Sequence, residues 1–107
     1  MEKVVFAKNV ELYLKDLIDV LFEEEYFGFM SSAIDYVDDL IDFIIKNILS
    51  AKQTKTYKEL NQFGKFYITY QSNHRTTWYI LFDKSQEEVT VTFIFNNHEK
   101  FAKYLDL

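Results

Sequence analysis

Apolar residues recur along this chain in two distinct rhythms. Val10, Tyr13, Leu14, Leu17, Ile18, Leu21 and Phe22 are spaced by three and four, which predicts an amphipathic helix with Asn9 as its N-cap. Glu23-Glu24-Glu25-Tyr26-Phe27-Gly28 then reads as a helix end and a turn, with Gly28 free to take a left-handed conformation. A second helix follows, capped by Ser31 or Ser32. Ile34, Val37, Ile41, Ile44, Ile45 and Ile48 line one face, and Asp35, Asp38, Asp39 and Asp42 occupy the others. Two such helices with a short connection predict an antiparallel hairpin.

The other rhythm is twofold. Residues 3–7 (Lys-Val-Val-Phe-Ala) read as a short first strand. After a polar loop over 50–61, with a short turn around Tyr57-Lys58-Glu59-Leu60, three runs alternate. Phe66, Ile68 and Tyr70 alternate with Tyr67 and Thr69. Trp78, Ile80 and Phe82 alternate with Tyr79 and Leu81. Val89, Val91, Phe93 and Phe95 alternate with Thr90, Thr92 and Ile94. The last run is β-branched or aromatic throughout, as a central strand buried on both faces requires. The gaps between these runs are too short for parallel crossovers, so they predict antiparallel hairpins. Phe101, Tyr104 and Leu105 suggest a short closing helix within 97–107. The expected fold is α+β: an N-terminal strand, a helical hairpin packed on a mostly antiparallel sheet of about four strands, and a C-terminal helix. The length of 107 residues suits one domain spanning 1–107.

Composition removes several kinds of chemistry. The chain has no cysteine and no proline, and its only glycines are Gly28 and Gly64. Disulfides, thiolate metal clusters, cysteine nucleophiles and Gly-rich phosphate loops are therefore excluded. The two histidines, His74 and His98, lack metal-ligand spacing, so no metal and no cofactor is expected. Acidic residues interrupt the most hydrophobic helix, and no charged segment precedes an apolar run of signal-peptide length. The expectation is a cytoplasmic protein without a membrane partner.

The net charge of −5 argues against a nucleic-acid partner until it is divided along the chain. Residues 1–50 carry 4 cations against 11 acids, a net of −7, whereas residues 51–107 carry 8 against 6, a net of +2. Between 46 and 75 stand Lys46, Lys52, Lys55, Lys58, Lys65 and Arg75 with one acid, Glu59. A patch of this kind acts over about one Debye length, ~8–10 Å, whatever the sign of the total charge.

The order of elements resembles the RelE/ParE superfamily of bacterial toxins, over nearly the whole chain. Val4-Val5-Phe6-Ala7 followed by Leu14-Lys15-Asp16-Leu17 resembles that family's opening strand and first helix. Phe27-Gly28 and Ala33-Ile34-Asp35-Tyr36 resemble its helical hairpin. Gly64 to Arg75, then Trp78-Tyr79-Ile80-Leu81-Phe82, then the last strand ending at His98, resemble the meander that carries its active face. In the YoeB-like ribonuclease branch a His-Arg pair precedes the second strand of the meander, and His74-Arg75 stands there in this chain. That branch uses a histidine after the last strand as general acid, matched by His98, and a glutamate after the helices as general base, matched by Glu59. It carries a tyrosine directly after the histidine, where this chain has Glu99.

The resemblance implies the toxin of a type II toxin–antitoxin (plasmid stabilization) module. That toxin would be a metal-independent, ribosome-dependent mRNA endonuclease (an mRNA interferase) that inhibits translation and is neutralised by a cognate antitoxin. Such cleavage needs a base for the 2′-OH, a cation for the phosphate and an acid for the 5′-oxygen; Glu59, Arg75 and His98 supply these types. An arginine fork pairs two phosphate oxygens and stays charged, and an imidazole ordinarily titrates near neutrality. Lys52, Lys55, Lys58, Lys65, His74, Tyr67 and Tyr70 are the candidate substrate-binding residues, with Tyr67, Tyr70 and Tyr79 as stacking surfaces for bases. Plainer roles stay open for the same residues. They are Arg75 as a turn residue paired with Glu87 or Glu88, His98 as a cap or a neighbour's hydrogen-bond partner, Glu59 as a solvated loop acid, and the tyrosines as core. Two other functions stay open on the same resemblance: a DNA gyrase inhibitor of the ParE branch without nuclease activity, and an attenuated relative that only binds antitoxin.

Overall fold

A computed structural model describes residues 3–23 and 30–99. Strand β1 (Lys3–Phe6) runs directly into helix α1 (Lys8–Glu23). Helix α2 (Met30–Asn47) packs against α1. A 3-10 turn (Ile48–Ser50), strand β2 (Thr54–Lys55) and a second 3-10 turn (Lys58–Leu60) lead to the meander β3 (Phe66–Gln71), β4 (Thr77–Lys84) and β5 (Glu88–Asn96). The sheet order is β1-β5-β4-β3-β2.

The α+β class agrees with the sequence pattern, and the sheet differs from it in two ways. It has five strands rather than about four, because Thr54–Lys55 adds an antiparallel edge to β3. Both of its residues are exposed, so no alternation marks it. The sheet is also mixed. β1 lies parallel to β5, with Lys3 opposite Glu88 and Phe6 opposite Val91, whereas the β2–β3, β3–β4 and β4–β5 pairs are antiparallel. The expected closing helix lies mostly at 100–107, outside the described residues. Residues 97–99 form a turn. The turn expected at 23–28 also falls largely outside the described residues.

One face of the sheet is covered by the helical hairpin. Val10, Leu14 and Leu17 of α1 and Val37, Leu40, Ile44 and Ile48 of the α2 region bury against Trp78, Ile80, Phe82, Val89, Val91 and Ile94. Each such side chain contributes about 1.5–3 kcal/mol when fully buried. The buried stripe of α2 is Ala33, Val37, Leu40 and Ile44, continued by Ile48 of the 3-10 turn; Ile34 and Ile45, expected inside, are 39% and 48% exposed. Isoleucines surround this helix on more than one side, so hydrophobicity alone does not locate the stripe.

The expected caps are also displaced. Helix α1 starts two residues earlier, on the Ala7 carbonyl, which accepts from the N–H groups of Val10 and Glu11. Asn9 instead donates its Nδ2 to the Thr92 carbonyl of β5 at 3.0 Å. Ser31 and Ser32 lie inside α2.

The opposite face carries a smaller core of Leu60, Tyr79, Leu81 and Phe95, flanked by Phe63, Tyr67 and Phe93. Its composition depends on a bulge. Leu81 pairs with Phe93 and Phe82 with Val91, so Thr92 is an extra residue in β5. Strict alternation would put Val89, Val91, Phe93 and Phe95 on one face. Across the bulge, Val89 and Val91 stay under the helices while Phe93 and Phe95 join the second core. Gly64 lies where a Cβ would come 2.5 Å from Thr92 Oγ1 and 2.8 Å from Leu81 Cβ. The segment from the second 3-10 turn therefore reaches β3 only because this position has no side chain.

Candidate functional site

The β3–β4 turn and the turn after β5 meet at one end of the sheet. The first turn is built around Asn73, whose Oδ1 accepts from the backbone N–H groups of Arg75 (2.8 Å) and Thr76 (3.0 Å). Ser72 N–H donates to the Thr76 carbonyl and closes the hairpin. The second turn is built around Asn96, whose Oδ1 accepts from His98 N–H at 2.9 Å. Short side-chain amides that bond the backbone two residues on are the reason asparagine suits such turns.

Four bonds join the two turns; one is Asn97 N–H to the Thr77 carbonyl at 3.0 Å. Asn97 Nδ2 donates to the Arg75 carbonyl at 3.0 Å, and Asn97 Oδ1 accepts from Thr77 N–H at 2.9 Å. Thr76 Oγ1 lies 3.3 Å from His98 Nε2. Arg75 and His98 are thus brought to the same corner, and both are exposed. His74 is exposed in the same turn. Arg75 forms no ion pair with a described residue. Glu88 pairs with Lys3 at 3.7 Å instead, because the β4–β5 turn lies at the far end of the hairpin.

Beneath this corner a polar network ties the turns to both helices. Tyr13 of α1 donates its hydroxyl to Glu99 Oε1 at 2.9 Å, and Glu99 Oε2 accepts from Asn96 N–H at 2.8 Å. Burial, and next the Glu99 carboxylate, hold the Tyr13 phenol far above its ordinary pKa. The Tyr13 ring meets Trp78 edge to face at 6.4 Å. Trp78 Nε1 donates to the Tyr36 hydroxyl of α2 at 2.9 Å, and Tyr36 shares a 2.7 Å bond with Ser72 Oγ. Glu99, which departs from the tyrosine of the resembled branch, is therefore engaged on both oxygens in holding the turn.

Glu59 stands on a separate element, the Lys58–Leu60 turn. It is exposed and has no hydrogen bond or ion pair to a described residue. Its neighbour Leu60 is fully buried among Tyr79, Leu81 and Phe95. Leu60 therefore places this turn on the second face of the sheet, and no described contact joins Glu59 to Arg75 or His98. Lys58 shares that turn. Lys55 and Lys65 flank the opposite end of β3, where Lys55 pairs with Phe66 and Lys65 N–H donates to Asp83 Oδ1 at 2.9 Å. Lys52 precedes β2 and is exposed. The cations thus follow the β2–β3 edge rather than gathering at one point.

The two candidate tyrosines are on different faces. Tyr67 belongs to the second core, with its ring 6.5 Å from Tyr79. Tyr70 stacks on Phe43 of α2 at 4.5 Å, on the helix side. Burial, then Asp39, raises its pKa. One face of the Tyr70 ring is therefore occupied by α2.

Among the described residues no three His, Asp or Glu side chains gather to hold a metal ion, and no helix is long and apolar enough to cross a membrane. No family model, curated protein or solved structure matches the chain. The residues that sequence reasoning missed are Asn73, Thr76, Asn97, Tyr36, Ser72 and Tyr13. Asn73, next to a turn between two alternating runs, carried a readable signal; the others act only through the fold.

Proposed function

We propose that this chain is the toxin of a type II toxin–antitoxin module, a ribosome-dependent mRNA endonuclease that blocks translation. The observation that carries the reading is the corner where the Arg75 and His98 turns are bonded together, with both side chains open to solvent. The order of strand, helical hairpin and antiparallel meander supports it as well, since the resemblance implies that order.

In this mechanism the RNA 2′-oxygen attacks the adjacent phosphorus. The P–O2′ bond forms, the P–O5′ bond breaks, and a 2′,3′-cyclic phosphate is left. Glu59 takes the 2′-OH proton. Arg75 pairs with the phosphate oxygens as charge grows on them. His98 gives a proton to the departing 5′-oxygen. Arg75 is supplied with no carboxylate partner among the described residues, which keeps its fork available to an incoming phosphate. Lys52, Lys55, Lys58 and Lys65 draw the strand along the β2–β3 edge, and Tyr67 and His74 lie on its approach. The acidic helices cover the other face of the sheet and suit a cognate antitoxin better than RNA.

Expression of the chain in a bacterial host, compared with Arg75→Ala, tests the reading. Growth arrest with loss of full-length mRNA and intact DNA is the expected result, with arrest abolished in the variant and its fold unchanged by circular dichroism. Full arrest by Arg75→Ala overturns the catalytic role of Arg75. DNA breaks with an SOS response place the target at gyrase instead, and tight antitoxin binding without arrest marks an attenuated relative.

A further inference from the structure

We propose that Asn97 is the positioning residue that sets Arg75 against His98, an inference that rests on reading those two as the reacting pair. The Arg75 side chain is long and exposed, and no described residue bonds its guanidinium. Its direction therefore has to be set from its backbone. That backbone is held on both sides by asparagine amides: Asn73 Oδ1 accepts from the Arg75 N–H, and Asn97 Nδ2 donates to the Arg75 carbonyl. Asn73 belongs to the same turn as Arg75 and fixes only its local shape. Asn97 reaches from the other turn and immediately precedes His98.

The backbone N–H and both side-chain amide atoms of Asn97 serve this junction. The backbone N–H donates to the Thr77 carbonyl at 3.0 Å, Oδ1 accepts from Thr77 N–H at 2.9 Å, and Nδ2 reaches Arg75 at 3.0 Å. The first two bonds extend the β4–β5 ladder by one step and lock the asparagine in place. The third then transmits that position to Arg75. Only an amide of this length both accepts from Thr77 and donates to Arg75. Aspartate keeps the first function and loses the second, and alanine loses both. A displacement of about 1 Å at a reacting group lowers turnover on the order of 100-fold.

The experiment compares the wild-type chain with Asn97→Asp and Asn97→Ala, measuring ribosome-dependent RNA cleavage and residue-resolved amide hydrogen exchange. Both variants should lose turnover by about 10- to 100-fold with little change in KM. In Asn97→Asp the amides of Arg75 and Thr76 should exchange faster while that of Thr77 stays protected. Agreement between the charged and the uncharged variant assigns the loss to the missing donor rather than to an added charge. Wild-type turnover in Asn97→Asp overturns the proposal. So does unchanged exchange at Arg75 and Thr76, even if Asn97→Ala fails to fold. A wild-type chain that cleaves no RNA overturns the ribonuclease reading, and the exchange comparison then decides the role of Asn97 by itself.

Discussion

At the scale of single residues, the Tyr13–Glu99 pair shows how a departure from the resembled pattern is absorbed. Glu99 is held by a phenol from α1 and by a backbone N–H of its own turn. Tyr13→Phe removes a hydrogen bond to a charged group, which should lower stability by about 1.5–3 kcal/mol in urea unfolding at neutral pH. The pH dependence follows from the raised pKa of the phenol. A group whose pKa is higher in the folded state stabilises fully below its unfolded pKa, near 10 for tyrosine, and loses that stabilisation as pH rises past it. The wild-type unfolding midpoint should therefore fall between about pH 9 and 11, and more steeply than that of Tyr13→Phe; parallel profiles would remove this role from Tyr13. Glu59→Gln tests the remaining catalytic assignment. It should reduce RNA cleavage on the order of 100-fold, as removal of a general base does, with the fold retained.

At the scale of elements, the second face of the sheet decides where Glu59 stands. The turn that carries it is anchored by Leu60 and closed by the near-contact of Gly64 with Thr92 and Leu81. Leu60→Ala should destabilise the chain by about 2–5 kcal/mol, as removal of a fully buried leucine does. Gly64→Ala should lower stability by about 1–3 kcal/mol, because the new methyl group meets the Leu81 Cβ and the Phe82 backbone nitrogen rather than a flexible end. Denaturant midpoints measure both, and a Gly64→Ala chain as stable as wild type would show that the 56–64 segment shifts freely. The bulge at Thr92 belongs to the same level. It turns Phe93 and Phe95 onto the face that Leu60 covers, and it presents the carbonyl that Asn9 of α1 takes up.

At the scale of the whole molecule, charge is separated by element. The exposed acids Asp35, Asp38, Asp39 and Asp42 ride on α2, while Lys52, Lys55, Lys58 and Lys65 follow the β2–β3 edge. With a net charge of −5, free RNA should bind weakly, and cleavage should need the ribosome to present the strand. Four lysine contacts to single-stranded RNA would give a log–log salt slope of at most about −3. Fluorescence anisotropy with a short oligonucleotide measures it. Replacing the four lysines by alanine should flatten the slope, and an unchanged slope would put the RNA on another surface.

The two periodicities determined most of the architecture by themselves. Helical spacing and strict alternation are local properties, so the two helices, the first strand and the three strands of the meander could be read from sequence order alone. Charge counting likewise located the cationic stretch, and the turn at Lys58–Leu60 was legible from its neighbours. What only the tertiary structure decided are relations between distant residues. Leu40 rather than Ile45 faces the core because the sheet chooses the side of α2. Tyr67 and Tyr70 part to opposite faces because one joins Tyr79 and the other Phe43. Thr92 breaks the alternation of β5 because the pairing with β4 admits one extra residue. Asn97 had no sequence signal at all, since its role exists only once 22 residues of chain have folded back to place the Arg75 carbonyl beside it.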